Sequence, residues 1–290
     1  MKLIQSSFEI LEQEPGIKGA CEQIEIAGRT CYKSSRRNED ADFDDFAKRM
    51  FKSGHLSMLE HGTIYLDLRE ELNRNPESAA RKITKYSINP YSEVVNGCYI
   101  TTNMRVIVEN DWHRDLIFSC EPTKHHRRYT VRFITDRGIS HELVRHRKFS
   151  FAQESSRYCN YSKDKFNNEL TFIIPSNLSK LREGHYDRKC IIEGNKVRST
   201  LEDTSIFLGN LSSAEDDYLN LIKLGWRPEE ARQILPNALK TEVVMTGFDT
   251  DWKYFFNLRS SIAKTGKPHP DMLKLVNPLM KEFKERGYVG

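Results

Sequence analysis

The spacing of hydrophobic residues predicts a chain that mixes helices and strands. Over 40–52, apolar side chains recur every three or four positions and Gly54 follows where a helix C-terminal cap belongs. Alternating side chains over 129–134 predict a strand, and 63–68 predicts another. Because helices and strands do not alternate regularly, the predicted class is α+β, with a mixed or antiparallel sheet flanked by helices.

The part after residue 136 is predicted to be mainly helical. A turn at 136–138 ends the second strand, and Ser140 is placed to cap a short helix with Glu142 in its first turn and 145–147 near its end. Further helices are predicted over 199–224, from Pro228 to Pro236, over 251–263 and over 271–286. No repeat or linker divides the chain, so we expect one domain over 1–290.

A polar stretch over 69–128 interrupts this pattern. Turn signals occur at Asn75-Pro76, Asn89-Pro90 and Asn96-Gly97, and a strand is predicted over 104–108. We interpret the stretch as an inserted segment.

Composition is typical of a soluble protein. A hydrophobic share of 38% in 290 residues can fill a core. No run approaches the roughly 20 apolar residues of a membrane helix, and the first residues lack the apolar run of a signal peptide, so we expect a cytoplasmic protein with no membrane contact. The six cysteines include no C-x-x-C pair and are predicted to be reduced thiols, namely Cys21, Cys31, Cys98, Cys120, Cys159 and Cys190.

Basic residues cluster locally, although the net charge is only +4. The clusters lie at 125–128 and 145–148, and they indicate a phosphate-bearing ligand, either polymeric or small. Arg145, Arg147 and Arg157 supply planar guanidinium groups that match phosphate oxygens, and the serines at 155 and 156 supply neutral donors. A solvated basic helix end would show the same charge pattern.

The stretch RHRKFSFAQESSRY over 145–158 resembles the signature of flavin-dependent thymidylate synthases, which is R-H-R, seven intervening residues, and S. Upstream, 29–32 and 54–61 are similar to the two N-terminal motifs of that family. Downstream, 231–236 and 255–259 are similar to its C-terminal motifs, in the same order. The similarity covers nearly the whole chain except 69–128, which the shorter members lack.

The resemblance implies a fold like that of the thymidylate synthase complementing proteins and a reductive methylation of dUMP to dTMP. FAD would be the redox cofactor, NADPH the reductant and 5,10-methylenetetrahydrofolate the one-carbon donor. The family builds its site between the subunits of a homotetramer. The sequence contains neither G-x-G-x-x-G nor a P-loop, so the flavin would bind in a basic pocket.

The resemblance also implies roles for individual residues. Arg259 would stabilise the uracil ring as its N3 proton leaves, and a fixed guanidinium is suited to developing negative charge. The implied flavin contacts are Ser57, Arg145, His146, Arg147 and Gln153, with His55 beside them as either a site or a structural histidine. The implied nucleotide contacts are Glu142, Arg145, Gln153, Glu154, Ser155, Ser156, Arg157, Arg232 and Arg259.

Several positions depart from the family pattern. The family usually carries asparagine, arginine and asparagine where this chain has Phe248, Thr250 and Tyr254, and it often carries serine at Cys31 and glutamine at Glu142. The predicted site therefore does not include Phe248, Thr250, Tyr254 and Cys31.

Two other functions share some of these sequence features. A nucleic-acid-binding protein would use the basic and aromatic residues over 125–161 as a stacking and phosphate surface. A metal hydrolase is disfavoured, because His141 and His146 are five positions apart and a helix turns them about 140° away from each other. We therefore predict no metal site.

Overall fold

The computed structural model describes residues 1–34, 43–186, 203–264 and 266–289, and its class is α+β, as predicted. The strands are β1 (Lys2–Ile4), β2 (Ser7–Leu11), β3 (Thr63–Asp67), β4 (Glu93–Val95), β5 (Tyr99–Asn103), β6 (Arg128–Asp136), β7 (Ser150–Gln153), β8 (Thr171–Ile173), β9 (Gly184–His185) and β10 (Lys240–Phe248). The α-helices are α1 (Gly16–Tyr32), α2 (Phe43–Lys52), α3 (Arg69–Arg74), α4 (Pro76–Ser87), α5 (Met104–Glu109), α6 (Arg137–Leu143), α7 (Asp203–Lys223), α8 (Pro228–Ala231), α9 (Asp249–Arg259) and α10 (Pro270–Glu285). Short 3₁₀ helices include Leu56–His61 and Arg232–Ile234.

The main sheet is antiparallel, with the strand order β2-β6-β10-β7. Strands β6 and β10 pair along their whole length, from Lys240 opposite Asp136 to Phe248 opposite Arg128. A second sheet has the order β8-β1-β9, in which β1 and β8 are parallel, and a third has the order β3-β5-β4. The expected mixed or antiparallel arrangement is confirmed.

An aromatic core holds α9 and α10 against the main sheet. Trp252, Phe255 and Phe283 are fully buried and pack around Phe133 of β6. The Trp252 indole donates a hydrogen bond to the carbonyl of Tyr129 at 3.1 Å, so its polar edge is satisfied. This packing fixes the direction of α9 and hence the position of Arg259 at its last turn.

The segment 69–128 builds the third sheet with β3 and packs on α1 and α2 through an apolar cluster. The predicted turn at Asn96-Gly97 is present, since both residues have positive φ. The predicted strand over 104–108 is wrong: these residues form α5, because the Asn103 side chain accepts a hydrogen bond from the Val106 amide at 3.1 Å and caps a helix.

The helix after β6 also begins earlier than predicted. Asp136, not Ser140, is its N-cap, and its side chain accepts a hydrogen bond from the Ile139 amide at 2.8 Å. Helix α6 ends at Leu143, so residues 145–147 lie beyond it rather than in its last turn.

Other predicted boundaries shift modestly. Helix α9 covers 249–259 instead of 251–263, because Ser260 adopts an extended conformation. The predicted helix up to Pro236 is α8 followed by a 3₁₀ turn. Residues 40–42 and 199–202 and Cys190 lie outside the described residues. The five other cysteines are free thiols. Across the four described ranges, no helix is both long enough and apolar enough to cross a bilayer.

We expect acid to destabilise the fold through His61. Burial, and next the charge of Arg128, lowers the pKa of His61 to about 3. The unfolded histidine binds a proton near pH 6.5 but the folded one does not, so the free energy of unfolding falls as pH falls below 6.5, by about 1.4 kcal/mol per pH unit. Urea titrations at pH 7, 6, 5 and 4 would measure this.

His61→Gln serves as the comparison, because an amide can retain the contact that the Nδ1 of His61 makes with Thr246 at 2.8 Å. The variant should lose stability less steeply with falling pH. Parallel pH dependences in the two proteins would remove His61 from this explanation.

Candidate functional site

A cavity of about 670 Å³ lies between the loop that follows α6 and the outer face of α9. Its lining brings Arg259 together with the R-H-R motif, although Arg259 and His146 are 113 positions apart in the chain. The residues that line it are Arg145, His146, Arg147, Lys148, Phe149, Thr250, Asp251, Tyr254, Leu258 and Arg259.

Two hydrogen bonds orient the Arg259 guanidinium at this cavity. Its Nε donates to the Nε2 of His146 at 3.0 Å, and its Nη1 donates to a Glu142 carboxylate oxygen at 2.8 Å. The His146 ring must be neutral to accept this bond, with its proton on Nδ1. Burial, and next the charge of Arg259, lowers the pKa of His146 to about 4, which keeps the ring neutral at physiological pH.

Arg145 and Arg147 offer two further guanidinium groups at the cavity. Both side chains are exposed, and neither makes a hydrogen bond or ion pair within the described part of the chain. Phe149 and Leu258 supply apolar surface beside them. A flat aromatic ligand that carries phosphate groups matches this combination of surfaces.

The excluded positions Thr250 and Tyr254 line the same cavity, which the sequence pattern did not reveal. Lys148 and Phe149 also line it and directly follow the R-H-R motif, so continuing the motif by two residues would have found them. His55 and Ser57 are exposed around the start of the 3₁₀ helix Leu56–His61 and do not line the cavity.

Strand β7 leads from this cavity to the predicted nucleotide loop. Gln153 ends the strand, and its amide donates to the hydroxyls of Ser140 at 2.9 Å and Thr241 at 3.2 Å. The Ser155 amide then donates to the carbonyl of Cys31 at 3.0 Å, which ties the loop to the end of α1.

Arg157 and Arg232 occupy a second basic patch, beside α8. The exposed Arg157 forms an ion pair with Glu229 at 2.7 Å. The Nη1 of Arg232 lies 3.5 Å from the Ser156 hydroxyl. Neither arginine lines the Arg259 cavity. One chain thus brings Arg259 to the R-H-R motif but holds these two arginines apart from it.

Glu154 lies in a buried ion network that the sequence did not indicate. Its carboxylate is 1% exposed, accepts a hydrogen bond from the Tyr161 hydroxyl at 3.1 Å and pairs with Lys240 at 2.7 Å. Lys240 also pairs with Glu242 at 2.7 Å. Both Glu154 oxygens therefore have partners inside the chain, unlike those of a carboxylate that awaits a ligand.

Comparisons with known proteins identify relatives. The family model described as thymidylate synthase complementing protein matches residues 101–286. A flavin-dependent thymidylate synthase of Pyrococcus furiosus is 36% identical over 123 residues, which are 42% of this chain and 42% of that protein. Those of Geobacter sulfurreducens and Corynebacterium aurimucosum are 29% and 27% identical, over 42% and 53% of this chain and 43% and 56% of theirs. The matches thus span about half the length of these curated relatives.

Among solved structures, the chain is similar to a UMP/dUMP methylase, PolB, from Streptomyces cacaoi bound with 5-Br dUMP. The identity is 14% and the TM-score 0.44, with 98% of this chain and 93% of that chain covered.

Proposed function

The chain belongs to the thymidylate synthase complementing protein family, and from this premise we propose that it is a flavin-dependent thymidylate synthase that methylates dUMP to dTMP. The curated relatives that it matches carry that name. One observation in the structure carries the proposal: Arg259 is hydrogen-bonded to His146 at 3.0 Å on the cavity that Arg145 and Arg147 also line.

The residues around the cavity fit a flavin. Its volume of about 670 Å³ lies within the ordinary range of cofactor pockets. Phe149, Tyr254 and Leu258 would contact the ring system, and Arg145 and Arg147 would neutralise its phosphates. Bound FAD would supply the electrons of a reductive methylation, which no side chain can supply. NADPH as reductant and 5,10-methylenetetrahydrofolate as one-carbon donor belong to the same proposal.

Arg259 acts on the pyrimidine in this proposal. Two of its five N–H donors are used by His146 and Glu142, which leaves three for a ligand. These donors would stabilise the negative charge that develops as the N3 proton of uracil leaves, and the neutral His146 keeps them oriented before the reaction.

The phosphate of dUMP would be bound by Arg157, Arg232, Ser155 and Ser156. The rest of the nucleotide would lie near Gln153, Glu154 and Glu142. Because a single chain holds Arg157 and Arg232 outside the Arg259 cavity, we propose that neighbouring subunits of a homotetramer complete the site. His55 and Ser57 would reach the flavin in the same way. The rest of the proposal is a cytoplasmic enzyme of one domain, with an insertion at about 69–128.

The burial of several aromatic side chains argues against one continuous nucleic-acid-binding surface over 125–161. Phe149 is 7% and Tyr161 is 5% exposed, and both pack in apolar clusters. The His125 ring is also buried and contacts the carbonyl of Leu66 at 3.0 Å. Tyr161 and His125 are therefore not free to stack on bases, whereas Phe149 lines the Arg259 cavity and Tyr158 is 54% exposed.

An absorbance spectrum separates the two functions. We expect the purified protein, or the protein after addition of FAD, to show a bound-flavin spectrum that changes when dUMP is titrated. A protein that stays colourless with FAD and binds oligonucleotides with a steep dependence on salt would contradict the proposal and favour nucleic-acid binding.

A further inference from the structure

A second chamber of about 550 Å³ adjoins the Arg259 cavity. The two share Arg147, Lys148, Phe149 and Asp251 in their linings and are therefore direct neighbours. The far wall of the second chamber is the turn 89–93, which belongs to the segment 69–128.

That wall is held in place before any ligand binds. The Asn89 side chain accepts hydrogen bonds from the Tyr91 amide at 2.9 Å and the Ser92 hydroxyl at 3.2 Å. Ser92 also contacts the Thr102 hydroxyl of β5 at 2.8 Å. The Tyr91 ring remains 60% exposed at the chamber. An exposed aromatic ring on a fixed turn is suited to contact a ligand.

Arg128, at the start of β6, lines this chamber with an incompletely paired guanidinium. Its Nη1 donates to the carbonyl of Glu60 at 2.9 Å, and its Nη2 lies 3.4 Å from the Ser150 hydroxyl. Its Nε is buried without a hydrogen-bond partner, and the group forms no ion pair with a carboxylate of the described residues. Burial lowers the pKa of Arg128 as well. A cation in such surroundings is costly unless an anion joins it.

Two of the three carboxylates that line the chamber pair with a cation other than Arg128. Glu60 pairs with Arg105 at 2.5 Å, and Asp251 pairs with Lys148 at 3.7 Å. Glu93 lies 3.9 Å from His126, and burial raises its pKa. Arg128 and Arg147 thus line the chamber without an ion pair to any carboxylate of the described residues, although the charges of Glu60 and Asp251 act on Arg128 from a distance.

We propose that the second chamber binds the anionic end of a ligand, a phosphate or a carboxylate, and that Arg128 is the residue that binds it. In the proposed function, from which the ligand identities are taken, the candidates are the phosphates of FAD and the glutamate carboxylates of the folate. The segment 69–128 then contributes directly to ligand binding through the turn 89–93.

Ligand titrations of the wild-type protein and Arg128→Gln test whether Arg128 binds an anion in the second chamber. The five ligands are inorganic pyrophosphate, FAD, riboflavin, tetrahydrofolate and a tetrahydropterin that lacks the glutamate tail. We expect Arg128→Gln to weaken pyrophosphate binding about 30-fold or more. A parallel loss for FAD but not riboflavin assigns the chamber to the flavin phosphates, and a loss for tetrahydrofolate but not the pterin assigns it to the carboxylates. Arg114→Gln, at an exposed arginine, should bind all five like the wild type.

Stability provides an independent measurement. If Arg128 serves a ligand, ligand-free Arg128→Gln should unfold at the wild-type denaturant midpoint or above it, because a buried cation without an ion pair has been removed. A much lower midpoint, or unchanged binding of pyrophosphate and both charged ligands, would overturn the inference. If the protein binds pyrophosphate through Arg128 but binds no flavin, the second chamber is an anion-binding site and the proposed function is refuted.

Discussion

Arg259→Lys is expected to lower kcat for dTMP formation roughly 100- to 1,000-fold, the usual effect of removing a donor that faces developing charge. The Nε that donates to His146 has no counterpart in lysine, and one ammonium cannot replace a planar group that binds His146 and Glu142 together. Steady-state kinetics would measure the loss, and a flavin spectrum would show that the cofactor site is intact.

Arg286→Lys is the matched control. Arg286 also lies at the end of a helix and pairs with a glutamate, Glu282, but at the surface away from the cavity. It should retain wild-type kcat and KM. Wild-type turnover by Arg259→Lys would exclude Arg259 from the reaction, and a rise in KM alone would restrict it to ground-state binding.

Lys240→Ala is expected to lower the free energy of unfolding by about 3–5 kcal/mol, because it leaves the buried Glu154 carboxylate without a cation, while Glu242 keeps its ion pair with Lys33 at 2.6 Å. Glu154 and Glu242 both pair with Lys240 at 2.7 Å and are 1% and 9% exposed. Burial alone would lower the pKa of Lys240, but these carboxylates raise it above its ordinary value. Urea denaturation at pH 7 would measure the change.

A surface lysine gives the comparison for this variant. Lys281 pairs with Glu285 at 3.7 Å and is 78% exposed, so Lys281→Ala should cost less than about 1 kcal/mol. Adding Glu154→Gln to Lys240→Ala should restore part of the lost stability. Equal small effects of the two lysine variants would show that the buried network contributes little.

The sequence predicted the elements well where the pattern and the packing agree. The spacing over 129–134 predicted β6, and Pro228 correctly marked the start of α8. It failed where two local signals compete. Met104 to Val108 are rich in β-branched residues, as strands are, but the cap at Asn103 and the burial of Met104 and Ile107 favour a helix. Asp136 and Ser140 are both good caps, and the pairing of β6 up to Asp136 selected the first.

The candidate site also has a part that the sequence predicted and a part that it did not. The resemblance pointed to Arg259 and the R-H-R motif, and the structure places them together on one cavity. The pairing of Glu154 with Lys240 joins residues 86 positions apart and has no sequence signal. The sequence of the basic cluster 125–128 does not show that His125 is buried, that Arg127 is exposed and that Arg128 lines the second chamber. The register of β6 and of the third sheet decides which of these side chains turns inward.

Product analysis tests the central claim most directly. The protein, first freed of any bound flavin, would be incubated with dUMP, 5,10-methylenetetrahydrofolate, NADPH and FAD, and the nucleotides identified by mass spectrometry, with each component omitted in turn. We predict dTMP in the complete mixture and none when dUMP, the folate or the flavin is left out. No dTMP from folded, FAD-bound protein, or dTMP formed equally well without flavin, would contradict the assignment.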